Sequence, residues 1–310
     1  MRFDPYLAAK LHLMENLNFH DMDDDMTARM AEFYRDPEPW TMPADVDTDE
    51  GEVPGPHGPV PYRLYRPSTP PGRVLVWAHG GGFATGDLGS REAHMVSAEL
   101  AARAAAVVIS VDYRLARHGV RHPVPVDDMH AVVIAALVGE VVGTGTADQV
   151  AVGGASAGAA LAMASALRCR DADGPAPTAL LLAYPFVHFP VPDLAPEISA
   201  ELAILPPSLR TPSANVEWMV SNYVGRLDDI PVDALPGAAP LAGLPTTSIV
   251  VSEYDDLRGS ADLLAKQLVD AGVAVRSYLA AGMPHGHLNR GTTLAQVDRS
   301  LDFLAEALHD

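Results

Sequence analysis

Six short, mostly apolar strand-like runs constrain this chain more than any other feature. They lie at residues 74–78, 106–111, 150–152, 179–184, 248–252 and 273–279, and stretches of helical periodicity separate most of them. A strand covered on one face alternates apolar with polar, whereas a strand covered on both faces has no reason to. The pattern predicts an α/β fold: a mostly parallel central sheet with helices on both faces. At 310 residues and 48% hydrophobic content, the chain can bury a core of that size. No internal repeat or low-complexity linker divides it.

Two segments fall outside the rhythm. Residues 1–45 read as helical, with Leu7, Leu11, Leu13, Met14 and Leu17 in one stripe and Met26, Met30 and Phe33 in another. Such stripes need a surface to pack on. Residues 185–241 are proline-rich around a predicted helix at 215–224 carrying Trp218, Met219 and Tyr223, which reads as an insertion or lid. The core is therefore expected over 46–184 and 242–310. It opens with a hairpin between residues 53 and 67, marked by Pro-Gly-Pro-His-Gly-Pro.

Composition narrows the partners. A formal charge of −19 without any basic cluster argues against nucleic acid, which needs clustered Lys and Arg to displace counterions. The acidic patches at 21–25 and 45–52 lack the spacing of a calcium loop, so solvated acidic faces are expected. Cys169 is the single cysteine, which precludes an intramolecular disulfide and suits a reducing compartment. The first residues lack the apolar core of a secretory leader, and no run is long enough to cross a bilayer. A soluble cytoplasmic protein is the expectation.

The chemistry concentrates at the ends of the apolar runs. Gly154-Ala155-Ser156-Ala157-Gly158 fits G-x-S-x-G between a strand and a helix, where the tight turn strains the serine and lifts its hydroxyl from the sheet. His79-Gly80-Gly81-Gly82-Phe83 follows the 74–78 run, and successive glycines can aim N–H groups at a developing oxyanion. A phosphate cradle would want a following Lys-Ser or Lys-Thr, which is missing. A serine hydroxyl also needs a base and an orienting acid. Asp255 and Asp256 follow the run at 248–252, and His285 follows the next one, so the order is Ser, Asp, His, that of the α/β-hydrolase fold. The residues alone leave Asp255 and Asp256 in competition for the acid. The pair His285 and His287 could share a metal, but no third ligand at suitable spacing accompanies them; no metal or cofactor is expected.

With these residues placed, the sequence resembles the hormone-sensitive-lipase-like esterases, bacterial family IV carboxylesterases. The motifs are H-G-G-G-F, V-D-Y-R-L-A at 111–116, the serine elbow, E-Y-D-x-L-R at 253–258 and G-M-x-H-G at 282–286. The resemblance implies Ser156 as nucleophile, Asp255 as acid, His285 as base, and an oxyanion hole from Gly81, Gly82 and Ala157. It also implies that 1–45 and 185–241 form a helical cap, and a homodimer. Large apolar residues of and beside that cap, Phe186, Trp218, Met219 and Leu288, are expected near the substrate pocket. Ala155 departs from the family's usual aspartate, Asp256 from its proline, and His287 from an aromatic. The expected activity is hydrolysis of small or short-acyl, including aryl, carboxylic esters through an acyl-enzyme. An amidase, lactonase or acyltransferase with the same triad, or a non-catalytic ligand-binding protein, is the alternative.

Overall fold

The computed structural model of the protein describes residues 3–17, 23–68, 72–141 and 149–309. Two short helices, α1 (Pro5–Ala8) and α2 (Asp24–Phe33), precede a hairpin of β1 (Val46–Val53) and β2 (Val60–Pro67). Strands and helices then alternate: β3 (Arg73–Ala78), α3 (Arg91–Ala104), β4 (Val107–Val111), α4 (Val124–Leu137), β5 (Gln149–Ala155), α5 (Ala157–Asp171) and β6 (Ala179–Ala183). The irregular segment holds α6 (Pro196–Leu202) and α7 (Ser213–Val224). After it come β7 (Thr246–Tyr254), α8 (Arg258–Asp270), β8 (Val275–Pro284) and α9 (Ala295–Glu306). Among the described residues no helix is long and apolar enough to cross a membrane.

The eight strands form one sheet in the order β1-β2-β4-β3-β5-β6-β7-β8. Pairings β1–β2 and β2–β4 are antiparallel and the others parallel. The apolar runs resolve into two faces at period two. Val74, Val76, Val107, Ile109, Val152, Leu180 and Leu182 enter one apolar layer with α4, α5 and α8. Their neighbours Leu75, Trp77, Val108, Ala151, Leu181 and Val250 enter the other, with α3 and α9. The inner strands β3 to β7 feed both layers, so neither of their faces needs polar residues, whereas β1 and β8 at the edges carry exposed polar positions.

The N-terminal stripes find their surface on that second layer, where Phe3, Leu7, Leu11, Met14 and Phe33 are buried. Helix is less extensive there than the spacing predicts. Asp4 caps α1, which stops after four residues and passes into a 3-10 turn at Leu11–Met14. Asp23 caps α2 by accepting from the Met26 N–H at 2.7 Å. Beyond Phe33 the chain is not helical, because Pro37, Pro39 and Pro43 interrupt it. Side chains pin this stretch instead: Trp40 donates to Glu99 at 2.6 Å, and Asp36 accepts from the Gly291 N–H at 2.8 Å and from Arg91.

Of the two acidic patches, 45–52 is mostly β1, an edge strand whose Asp47, Asp49, Glu50 and Glu52 are exposed. Charge on an unpaired edge discourages pairing with other chains. In the patch at 21–25, Asp21 and Met22 lie outside the described residues, while Asp24 and Asp25 occupy the first turn of α2, where the helix dipole favours acids.

Backbones approach closely where β5 turns into α5. A Cβ on Gly158 would stand 2.2 Å from the Ala78 carbonyl oxygen and 2.4 Å from that of His79, both backbone atoms of the β3 end. Gly158→Ala must therefore push α5 off β3, a cost of about 3 kcal/mol. A fall in Tm of about 5 °C is expected for a chain of this length, measured by circular dichroism at 222 nm; an unchanged Tm would show that the β3–α5 approach is loose.

Candidate active site

Ser156 occupies the turn itself, at φ 52° and ψ −114°, a conformation that costs a non-glycine residue of order 1–3 kcal/mol. The surroundings hold it there. Its N–H donates to the Ala183 carbonyl at 2.9 Å, and its carbonyl accepts from the Ala159 N–H at 3.1 Å and the Phe186 N–H at 3.3 Å. Ser156 is 6% exposed, with its hydroxyl at the carboxyl end of the sheet.

The strand β8 continues to Pro284, further than the apolar pattern at 273–279 predicts. Ala280, Ala281 and Gly282 have weak strand preference, but pairing with β7 carries through them past an irregularity at Ser252 and Tyr254. His285 thus leaves directly from a strand end. Its Nε2 lies 2.9 Å from the Ser156 Oγ, and its Nδ1 lies 2.7 Å from the Asp255 Oδ2. The assignment consistent with this network has Nδ1–H donating to the carboxylate and Nε2 accepting from the serine.

The two neighbouring aspartates divide. Asp255 is 2% exposed, faces His285, and also accepts from the Leu257 N–H at 2.7 Å. Asp256 turns away to Arg210 of the 185–241 segment, Nη2 to Oδ1 at 2.7 Å, and accepts from the Thr211 N–H at 2.6 Å. Burial pushes the His285 imidazole down, but the charge and hydrogen bond of Asp255, with Glu92 and Asp256 behind it, outweigh burial and leave its pKa raised.

The glycine loop after β3 lies beside the elbow. Gly81 and Gly82 have φ of 107° and 58°, in the left-handed region that favours glycine. Tyr113 stacks on His79 with ring centroids 4.6 Å apart, and its hydroxyl reaches the His79 carbonyl at 2.9 Å, which fixes the start of the loop. Among the described residues no protein group accepts from the Gly81, Gly82 or Ala157 N–H.

Of the four expected pocket residues, the structure brings one to this loop. A Cβ on Gly82 would meet the Met219 Sδ at 2.6 Å. Trp218 is 61% exposed, while Phe186 and Leu288 are fully buried in opposite apolar layers. A cavity of about 160 Å³ opens beside His285 between Tyr34, Ser208, Arg210, Thr211 and Arg290. A larger groove of about 500 Å³ lies across Arg210 and Thr211, reaching Asp256 and Val216. The sequence reading missed these walls, and it missed Glu92, a 5% exposed carboxylate that accepts from the Gly80 N–H at 2.7 Å. At the start of α3, Glu92 reads as an ordinary acid of a first helical turn.

Serine, aspartate and histidine arriving in that order at the carboxyl ends of β5, β7 and β8 are the layout of an α/β hydrolase. Comparison with known families agrees: the model described as the alpha/beta hydrolase fold matches residues 75–289. The chain belongs to this family, in its hormone-sensitive-lipase-like group. It is 32% identical to the carboxylic ester hydrolase LipN of Mycobacterium tuberculosis, over 86% of this chain and 72% of that protein. It is also 32% identical to the esterase LipI of the same organism, covering 92% and 88%. Among solved structures, esterase LipW from Mycobacterium marinum superposes with a TM-score of 0.75 at 28% identity, covering 99% and 95%.

His287 is committed elsewhere. Its Nδ1 lies 2.9 Å from the Ser252 Oγ and its Nε2 3.0 Å from the Ser300 Oγ, so neither nitrogen is open to a metal. Among the described residues no cluster of three or more His, Cys, Asp or Glu has a ligand geometry. Burial, and the nearby His285, push the His287 pKa down to about 3. An unfolded histidine titrates near 6.5, so below that pH the unfolded chain takes a proton that the native ring refuses. Native stability supplied by the neutral ring is therefore present above about pH 6.5 and lost downward at up to about 1.4 kcal/mol per pH unit. Urea unfolding between pH 7 and 5 is expected to show this slope, and His287→Asn to flatten it; equal slopes would refute a neutral buried His287.

Proposed function

We propose that the protein is a serine carboxylesterase acting on small carboxylic esters through an acyl-enzyme. The single observation that carries this reading is His285, placed between the Ser156 hydroxyl and the Asp255 carboxylate at 2.9 and 2.7 Å. In the proposed reaction Ser156 attacks the ester carbonyl while His285 Nε2 takes its proton. Asp255 holds the ring in the required tautomer and stabilises the imidazolium that forms. The N–H groups of Gly81, Gly82 and Ala157 receive the oxyanion; the Ser156 N–H is already bound to Ala183. His285 then protonates the leaving alcohol. Water deacylates the serine by the reverse proton route.

The substrate class follows from room as well as chemistry. A volume of about 160 Å³ beside His285 is below the 300–1,000 Å³ typical of sites for drug-sized ligands. It suits a short acyl or small alcohol group. In this proposal residues 1–45 and 185–241 serve as the cap, supplying Tyr34 on one side of the cavity and Arg210 and Thr211 on the other.

Purified protein is expected to hydrolyse p-nitrophenyl acetate and to be labelled by a fluorophosphonate probe. Ser156→Ala should abolish labelling and lower kcat by about 10³-fold or more; wild-type turnover in that variant would refute the nucleophile, and an unlabelled, inactive wild type would favour a binding protein. Asp255→Asn should cost about 10²–10⁴-fold in kcat and Asp256→Asn less than about tenfold. The reverse ranking would exchange their roles. Because His285 must be neutral to act as base and its pKa is raised, the acid limb of kcat/KM should have its midpoint above about 6.5, the value of a free histidine.

A further inference from the structure

Glu92 is a buried carboxylate that the proposed reaction does not use. It projects from the first turn of α3 and is 5% exposed, and its side chain makes no ion pair with Lys or Arg among the described residues. Three donors converge on it. The Gly80 N–H, one residue before the proposed oxyanion donors, approaches Oε2 at 2.7 Å. The Asn289 Nδ2 approaches Oε1 at 2.9 Å and also bonds the Gly286 carbonyl at 3.2 Å, on the loop that carries His285. The Tyr184 hydroxyl bonds the same Oε1. Donors alone around a carboxylate match the acceptor-only ionised form.

Each donor belongs to a different piece of the machinery. Tyr184 packs edge-on against His285, ring centroids 5.0 Å apart, and against His287 at 5.2 Å. Its backbone sits at φ 35°, in the left-handed region that costs a bulky residue free energy. Gly80 begins the loop that must turn two N–H groups toward one point. A Cβ on Gly80 would stand 2.5 Å from Glu92 Oε2 and 3.1 Å from the Ser156 Cβ, so carboxylate, loop and elbow adjoin. The Glu92 backbone is anchored as well, its carbonyl accepting from Trp77 Nε1 at 2.9 Å.

We infer that Glu92 is a positioning residue for ester hydrolysis: one buried carboxylate fixes the oxyanion loop, the tyrosine under the catalytic imidazole and the loop bearing that imidazole, and its charge favours the imidazolium. The inference rests on the carboxylesterase reading above. The charged and titratable groups around His285 agree with it. Asp255 faces it from the end of β7, with Asp256 next to it but turned to Arg210, Glu92 lies on α3, Tyr184 at the end of β6 and His287 on its own loop, with Tyr34, Arg210 and Arg290 on the cavity wall. Around Glu92 itself stand Tyr184 and Tyr113, both held protonated: burial first, and the Glu92 charge second, raise their pKa values. Developing positive charge on the ring is thus met by Asp255 through a hydrogen bond and by Glu92 through space.

Glu92→Gln tests this, with p-nitrophenyl acetate as substrate. It removes the charge at constant size and presents an amide N–H to donors that require an acceptor. The inference expects kcat to fall about tenfold or more with KM changed less than about twofold, because the groups being repositioned act on the transition state. It also expects the acid limb of kcat/KM to move to lower pH, since a neighbouring anion that raised the His285 pKa is gone. Glu92→Asp keeps the charge but withdraws the carboxylate by one methylene: the acid limb should return toward wild type while kcat stays low. A Glu92→Gln enzyme with wild-type kcat and an unmoved acid limb, or one whose loss equals its unfolded fraction, overturns the inference. Should Glu92→Gln fail to fold, Tyr184→Phe carries the test: it removes one donor and leaves the charge, and a kcat lowered about threefold or more at constant KM is expected. A wild-type kcat would overturn the proposal. Failure of the underlying reading has a different signature, since wild-type protein would then neither turn over the ester nor take the fluorophosphonate.

Discussion

The approach of α5 to the end of β3 is the constraint on which the site depends. Two glycines, Gly154 and Gly158, let the backbone of the elbow pass within van der Waals distance of the Ala78 and His79 carbonyls. That proximity sets Ser156 and the Gly80–Gly82 loop side by side. It also fixes the unfavourable backbone of Ser156, since the N–H bond to Ala183 and the carbonyl bonds to Ala159 and Phe186 can form only in this turn. The two apolar layers secure the approach from both faces, and a sheet buried on one side would have no comparable means of holding the strain.

A serine hydroxyl placed this way is largely buried, and the charges around it must be answered locally. Asp255 is answered by His285 Nδ1 and the Leu257 N–H, and Glu92 by three donors. His287 is answered by two hydroxyls and stays neutral. The two histidines, one residue apart, therefore titrate in opposite directions from their ordinary value. Carboxylates face one and only hydroxyls and a like-charged neighbour face the other, which decides the difference.

Much of this was legible in the sequence because it is local. The six apolar runs coincide with six of the eight strands, and the glycine spacing at 154–158 and 80–82 states where backbones must approach closely. What stayed hidden depends on groups far apart in the chain. The extension of β8 to Pro284 comes from pairing with β7 and overrides weak local preference at Ala280 and Ala281. Residues 34–45 fail to be helical because prolines interrupt them, and their anchors, Glu99 and Gly291, lie 59 and 255 positions away from Trp40 and Asp36. Glu92 and Asn289 are 197 positions apart, and no spacing rule connects them. Of the expected pocket residues Met219 reaches the glycine loop, Phe186 and Leu288 are used for packing, and the cavity beside His285 is walled by Phe33, Tyr34 and Leu209 as well as Ser208, Arg210, Thr211 and Arg290.

The adjacent pair Asp255 and Asp256 shows how the site and the segments around it are coupled. Successive side chains leaving a strand point in opposite directions, so one aspartate turns in to His285 while the other turns out to Arg210. Arg210 also donates to the Leu202 carbonyl at 2.9 Å, which joins α6 to the end of β7 through a single guanidinium. On the other side of the cavity Arg290 donates to the Phe33 carbonyl at 2.8 Å and lies over the Phe33 and Tyr34 rings, which joins α2 to the loop after His285. Two arginines thus attach the two outlying segments to the two loops that supply the acid and the base in the proposed mechanism. Movement of either segment would pull on the loop beside it, so the walls of the cavity and the alignment of the proposed triad are set by the same contacts.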